Sequence, residues 1–185
     1  LLPEPGICTE TDAYLRLEGA AALDGPAGEV VFAAGGRVGF DTYFNLFDLA
    51  KWRGRCGLSD LRLRIAGAGR LAVGVSHTAP GRSRERVADL VLDLDPAAPQ
   101  EIDLSAAEGD GAPGILAFEI AALGPGRLSA ADWITADAPR RRPELALCIT
   151  TFRREAAVAR TAARFAAFAA EAPMGDALRL IVIDN

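Results

Sequence analysis

Leu61-Arg62-Leu63-Arg64-Ile65-Ala66-Gly67-Ala68-Gly69-Arg70-Leu71-Ala72-Val73-Gly74-Val75 is the stretch that decides how this chain folds. Its first five residues alternate with a period of two, which puts Leu61, Leu63 and Ile65 on one face and Arg62 and Arg64 on the other. One face is dry and one is wet, as in an antiparallel sheet. Leu71, Val73 and Val75 then alternate with small residues, and Gly67-Ala68-Gly69 between the two runs reads as the turn of a hairpin.

The same grammar extends outward, from about Glu29 to Ala136. Leu90, Leu92 and Leu94 stand against Asp89, Asp93 and Asp95, and Leu116, Phe118 and Ile120 repeat the theme. Further runs lie at Val30 to Phe32, Val38 to Phe44 and Trp133 to Thr135, with Gly, Pro, Asp and Ser between them. Roughly eight strands result. Each has an apolar face that needs a cover, so two antiparallel sheets packed face to face are expected, a jelly-roll-like β-sandwich over 1–138.

At Ala138-Pro139-Arg140-Arg141-Arg142-Pro143 prolines bracket three arginines, which marks 139–143 as a linker. The period then changes. Leu145 to Ile149 is continuously apolar, Glu155 to Glu171 is Ala-rich with Val158, Ala162, Phe165 and Ala169 on one helical face, and Leu178 to Ile183 is apolar again. Strand, helix and strand predict a parallel pair with a crossover helix. One such unit cannot bury itself, so 144–185 is expected to open a larger Rossmann-like α/β domain whose remainder follows Asn185.

Half of the 185 residues are hydrophobic and 24% are charged, an ordinary globular make-up. The net charge of -5, with basic residues scattered except at Arg140 to Arg142, argues against nucleic acid as a partner. Cys8, Cys56 and Cys148 form no C-x-x-C pair, so neither a disulfide framework nor a zinc site is indicated. The single histidine, His77, reads as a strand-end residue. No apolar run reaches the roughly 18 to 20 residues of a membrane-spanning helix. The first residues also lack a signal-peptide layout, and a cytoplasmic location is expected.

In open α/β sheets ligands bind outside the carboxyl ends of the strands. Here those ends carry Thr150-Thr151-Phe152-Arg153-Arg154 and Asp184-Asn185. Amides at a helix start and a guanidinium suit phosphates or a pyrimidine edge, while Asp184 can accept from a base N–H or a ribose hydroxyl. A plainer reading stands beside this one: Thr150 or Thr151 caps the helix, Arg153 and Arg154 are solvated, and Asp184 only ends a strand. The loop has neither G-x-G-x-x-G nor G-x-x-x-x-G-K-[ST], which speaks against a dinucleotide dehydrogenase and a P-loop NTPase. Tyr43, Phe44, Asn45, Phe47 and Trp52 also have two readings. Core packing is the first; the second is a platform whose rings stack on an acceptor sugar while Asn45 reads hydroxyls.

Gly39-Phe40-Asp41-Thr42-Tyr43-Phe44-Asn45-Leu46-Phe47, followed by Lys51-Trp52-Arg53 and Leu61 to Val75, resembles the N-terminal β-sandwich of bacterial polymerising galactofuranosyltransferases. Trp133 to Pro139 and Cys148-Ile149-Thr150-Thr151-Phe152-Arg153-Arg154 follow that family's sandwich end, linker and first catalytic strand. The family is similar to the family-2 inverting glycosyltransferases of GT-A fold. The resemblance implies that Thr151, Phe152, Arg154 and Asp184 hold the uridine diphosphate (UDP) part of a UDP-sugar donor. Thr150 stands where the family usually has proline, and Arg153 where it has asparagine.

The resemblance further implies transfer of a sugar, galactofuranose, to a glycan or lipid-linked glycan acceptor with inversion. A divalent cation, Mg or Mn, neutralises the diphosphate and a carboxylate deprotonates the acceptor. The cation's ligands and the catalytic base are expected beyond Asn185, so no catalytic or metal-binding residue is assigned in this stretch and the fragment alone is expected to be inactive. The implied location is the cytoplasm, at the inner face of the plasma membrane; peripheral membrane association and homo-oligomerisation are left open. The competing class is a non-catalytic carbohydrate-binding or assembly module.

Overall fold

In the computed structural model, which describes residues 2–3, 10–108, 113–140, 144–171 and 177–184, the chain divides into two units, Leu1–Arg140 and Arg141–Asn185. Cys8, Arg141, Arg142, Pro143 and Asn185 lie outside the described residues. The first unit carries β1 (Arg16–Glu18), β2 (Ala21–Asp24), β3 (Glu29–Phe32), β4 (Arg37–Gly39), β5 (Phe47–Asp48), a short helix α1 (Leu49–Arg53) and β6 (Arg62–Thr78). It continues with β7 (Glu85–Leu94), β8 (Gln100–Asp103), β9 (Ile115–Ala122) and β10 (Gly126–Ile134).

The alternation read from Leu61 onward holds, but the hairpin does not. Gly67-Ala68-Gly69 lies inside β6, one strand of 17 residues whose two halves pair with different neighbours. Arg62–Ile65 pairs with β8 and Arg62–Ala68 with β10, whereas Gly69–His77 pairs with β7 and Leu71–Thr78 with β9, all antiparallel. The glycines permit the change of partners rather than a reversal. At Gly67 an added Cβ would sit 2.1 Å from the Arg127 carbonyl oxygen, and Gly69 has φ +99°, a conformation that favours glycine.

Two strand orders meet on β6: β2-β3-β10-β6-β8, and β1-β4-β9-β6-β7 with β5 also on β9. The result is a mostly-β unit built from one antiparallel sheet of ten strands, nearly closed on itself as in a sandwich or barrel. Leu63, Ile65, Leu71, Val73 and Val75 of β6 are fully buried, together with Leu116, Phe118 and Ile120 of β9 and Val30, Val38 and Leu128. Each such side chain contributes about 1.5–3 kcal/mol by leaving water. The outward arginines of β6 form ion pairs across the strands, Arg62 with Glu101 and Asp60, Arg64 with Asp132 at 3.1 Å.

Two expected strands are shorter or longer than their patterns. The run Val38 to Phe44 is strand only as far as Gly39, because Asn45 and Leu46 amides both donate to the Thr42 carbonyl and close a turn. Trp133 and Ile134 end a strand that begins at Gly126. Pro139 and Arg140 stay attached to the first unit: Pro139 bridges Cys56, and the Arg140 amide donates to the Arg55 carbonyl at 2.6 Å.

The second unit is β11 (Leu145–Thr151), α2 (Glu155–Glu171) and β12 (Leu178–Asp184), with β11 and β12 paired in parallel from Leu145↔Leu178 to Thr151↔Asp184. Val158, Ala162, Phe165 and Ala169 form the half-buried stripe of α2, the face that its periodicity marks. Leu145, Ile181, Val182 and Ile183 are exposed.

Candidate functional site

The parallel register places Thr151 directly opposite Asp184, so the Thr150–Arg154 loop and Asp184 stand at one end of the two-stranded sheet. Beyond Thr151 the chain must reverse into α2. It does so through Arg153 in the left-handed region, φ 53°, a conformation that costs a non-glycine residue on the order of 1–3 kcal/mol. The Arg153 guanidinium lies 4.9 Å from the centre of the exposed Phe152 ring.

Arg154, rather than a threonine, is the residue at the helix boundary: its carbonyl accepts from the Ala157 and Val158 amides, both at 3.0 Å. The Arg154 side chain is exposed, and Glu155 and Ala156 open the first turn, where amides have no partner within the helix. Thr151 Oγ1 is buried and has no hydrogen-bond partner among the described residues. Asp184 is the last residue of β12.

A second constellation lies on the first unit, in the loop Asp41–Phe47. Asp41 is held between Arg16 at 2.6 Å and Arg84 at 3.2 Å. Thr42 and Asn45, only 6% and 7% exposed, both donate to the Tyr14 carbonyl, and Phe47 is buried. Tyr43, Phe44 and Leu46 face out, 79%, 45% and 40% exposed, with Trp52 of α1 at 45%. The five residues with two readings therefore separate: Asn45 and Phe47 pack inside, whereas Tyr43, Phe44 and Trp52 stand at the surface. Trp133 packs on Phe47 and Phe118, and its indole N–H reaches the Asn45 carbonyl at 3.5 Å.

Three carboxylates are held by hydrogen bonds, two of them between distant segments. Asp60 accepts from the Thr135 hydroxyl and the Ala136 amide, both at 2.7 Å, and these two bonds, in that order, hold its carboxyl below the ordinary value. Asp137 is lowered by the hydroxyl and then the amide of Ser59, and Asp103 by the hydroxyl and then the amide of Ser105. Glu101, then Asp60, raises Arg62 against the opposing effect of desolvation. These bonds tie residues 135–137 to residues 59–60, a connection no local pattern announces.

A cleft of about 230 Å³ lies over Gly39 and Gly74, lined by Arg16, Glu18, Arg37, Arg86, Asp89 and Glu119. Arg86 donates to Glu119 and covers Gly74, where a Cβ would meet its Nη1 at 1.7 Å. His77 lies near the end of β6 with its ring against Gly114. Cys56 is a buried thiol and Cys148 an exposed one. Among the described residues no group of three His, Cys, Asp or Glu is placed to hold a metal ion, and the divalent cation has no ligand set there. Among the described residues no helix is long and apolar enough to cross a membrane. Compared with models of known protein families and with curated proteins, the chain matches none.

Proposed function

We propose that the chain is part of a glycosyltransferase that takes a sugar from a uridine diphosphate donor, and that the second unit begins its GT-A-type, Rossmann-like donor domain, with the first unit as a jelly-roll-like sandwich ahead of it. The observation that supports this reading best is the in-register pairing of Thr151 with Asp184 beside the start of α2. Asp184, an exposed guanidinium and helix-opening amides then stand together at the carboxyl ends of parallel strands, where α/β folds take nucleotides.

In this proposal Asp184 accepts from the uracil N–H or a ribose hydroxyl, Phe152 offers a ring face to the base, and Arg154 with the first-turn amides receives the diphosphate. Thr151 Oγ1 gains the partner it lacks within the described chain. Galactofuranose is the proposed sugar, and a glycan or lipid-linked glycan the proposed acceptor, attacked with inversion at the cytoplasmic face of the membrane. A bound Mg or Mn ion would supply charge neutralisation on the leaving diphosphate.

Isothermal titration of UDP, with Mg²⁺ or Mn²⁺ present, into the full-length protein tests the proposal. Arg154→Ala and Asp184→Ala are each expected to weaken binding tenfold or more, about 1.4 kcal/mol. A wild-type protein that takes up no uridine nucleotide would remove the donor assignment.

A further inference from the structure

We infer that Arg153 is a positioning residue of the proposed nucleotide site, holding the Phe152 ring so that one of its faces is left for a flat base. This role rests on the donor reading above, in which Arg153 has no task. Two features meet at this residue. Its backbone is left-handed, with φ 53°, a conformation that one other non-glycine among the described residues shares. Its guanidinium lies over the Phe152 ring, 4.9 Å from the centroid, inside the roughly 6 Å at which a cation and an aromatic face attract.

Arginine has no side-chain group that favours the left-handed region, and glycine or asparagine would adopt it with less strain. At the other such position, Leu58, burial of the side chain in the core offsets the strain. Arg153 is exposed, so burial offsets nothing there, and the interaction that goes with its conformation is the stack on Phe152. Strain kept at an exposed loop residue is a mark of pre-organisation for a ligand. Phe152 directly follows Thr151, the residue opposite Asp184, so the held ring belongs to the cluster at the carboxyl ends of the strands.

Phe152 is 60% exposed, and a ring so exposed changes rotamer freely unless something holds it. A guanidinium laid on one face removes part of that freedom before a ligand arrives, so less side-chain entropy is lost on binding. It also makes the two faces unequal: Arg153 covers one, and the other stays open to water. A uracil ring on the open face completes a stack of guanidinium, phenyl ring and base. To bind the diphosphate directly, the Arg153 guanidinium would have to leave the ring. The exposed Arg154 and the first-turn amides of α2 already supply that positive end.

Arg153→Asn separates the roles, because asparagine accepts the left-handed backbone but removes the guanidinium. In the full-length protein this variant is expected to keep or raise the melting temperature and to bind UDP about three- to fivefold more weakly by calorimetry. Uridine, measured by its displacement of bound UDP, is expected to weaken by the same factor, since the effect passes through the base. A second readout needs no nucleotide: ring current from Phe152 is expected to move the Arg153 Nε–H and Hδ NMR signals upfield, and Phe152→Leu to return them. Unshifted Arg153 signals, or unchanged affinity of Arg153→Asn beside a wild type that binds UDP, would overturn the role. A loss confined to UDP, with uridine unaffected, would also overturn it and make Arg153 a diphosphate ligand. A wild type that takes up neither compound would remove the donor reading itself, and this role with it, whatever the arginine signals show.

Discussion

Thr42 and Asn45 illustrate at the scale of one residue how this fold uses polarity. Both donate to the Tyr14 carbonyl, and both are nearly excluded from solvent. Removing either takes away one of the two bonds to that carbonyl, so Thr42→Ala and Asn45→Ala are each expected to lower the unfolding free energy by about 1 kcal/mol in urea. Tyr43→Ala, between them, is expected to stay within about 0.5 kcal/mol of wild type. Equal losses at all three positions would contradict the division into anchors and displayed rings. The Thr-Tyr-Phe-Asn string drew attention to these residues in the sequence, but not to which of them are inside. A turn has no fixed period, and its sides are assigned by bonds to Tyr14, which is 28 and 31 residues away from Thr42 and Asn45.

Among the elements, β6 is where sequence and structure part most informatively. Its alternation sets the buried face correctly, but a Gly-Ala-Gly interruption is equally consistent with a reversal and with a strand passing from one set of partners to another. Contacts with β10 decide between them, since β10 runs so close that Gly67 has no room for a side chain. Gly67→Ala is expected to cost about 1–3 kcal/mol in urea denaturation. Gly124→Ala, where a Cβ meets nothing within 4 Å, is expected to be nearly neutral. Equal stability of the two variants would place the crossing elsewhere. By contrast α2 was legible in full, because Val158, Ala162, Phe165 and Ala169 recur at the spacing that a helix itself imposes.

The first unit carries three hydrogen-bonded carboxylates that hold their protons less readily when folded, and part of its response to acid follows from them. Asp60, Asp103 and Asp137 titrate below their ordinary value of 3.8 when folded, so the unfolded chain binds more protons over that range. Their contribution is complete above the ordinary carboxylate range. It declines as the pH drops through 3.8 and is gone below the folded-state values. Urea midpoints measured from neutral pH to pH 3 are expected to fall in that acid window, and less in Asp60→Asn; an unchanged slope in the variant would remove Asp60 from the effect. By itself the sequence determined the β grammar of the first unit, the change to strand-helix-strand near Pro143 and the apolar faces, because periods of 2 and 3.6 are properties of the backbone. Only the tertiary structure decided the partners of β6, the opposition of Thr151 and Asp184, the fastening of residues 135–137, and the exposure of Tyr43, Phe44 and Trp52. Those depend on contacts between residues far apart in the chain, which no local period encodes.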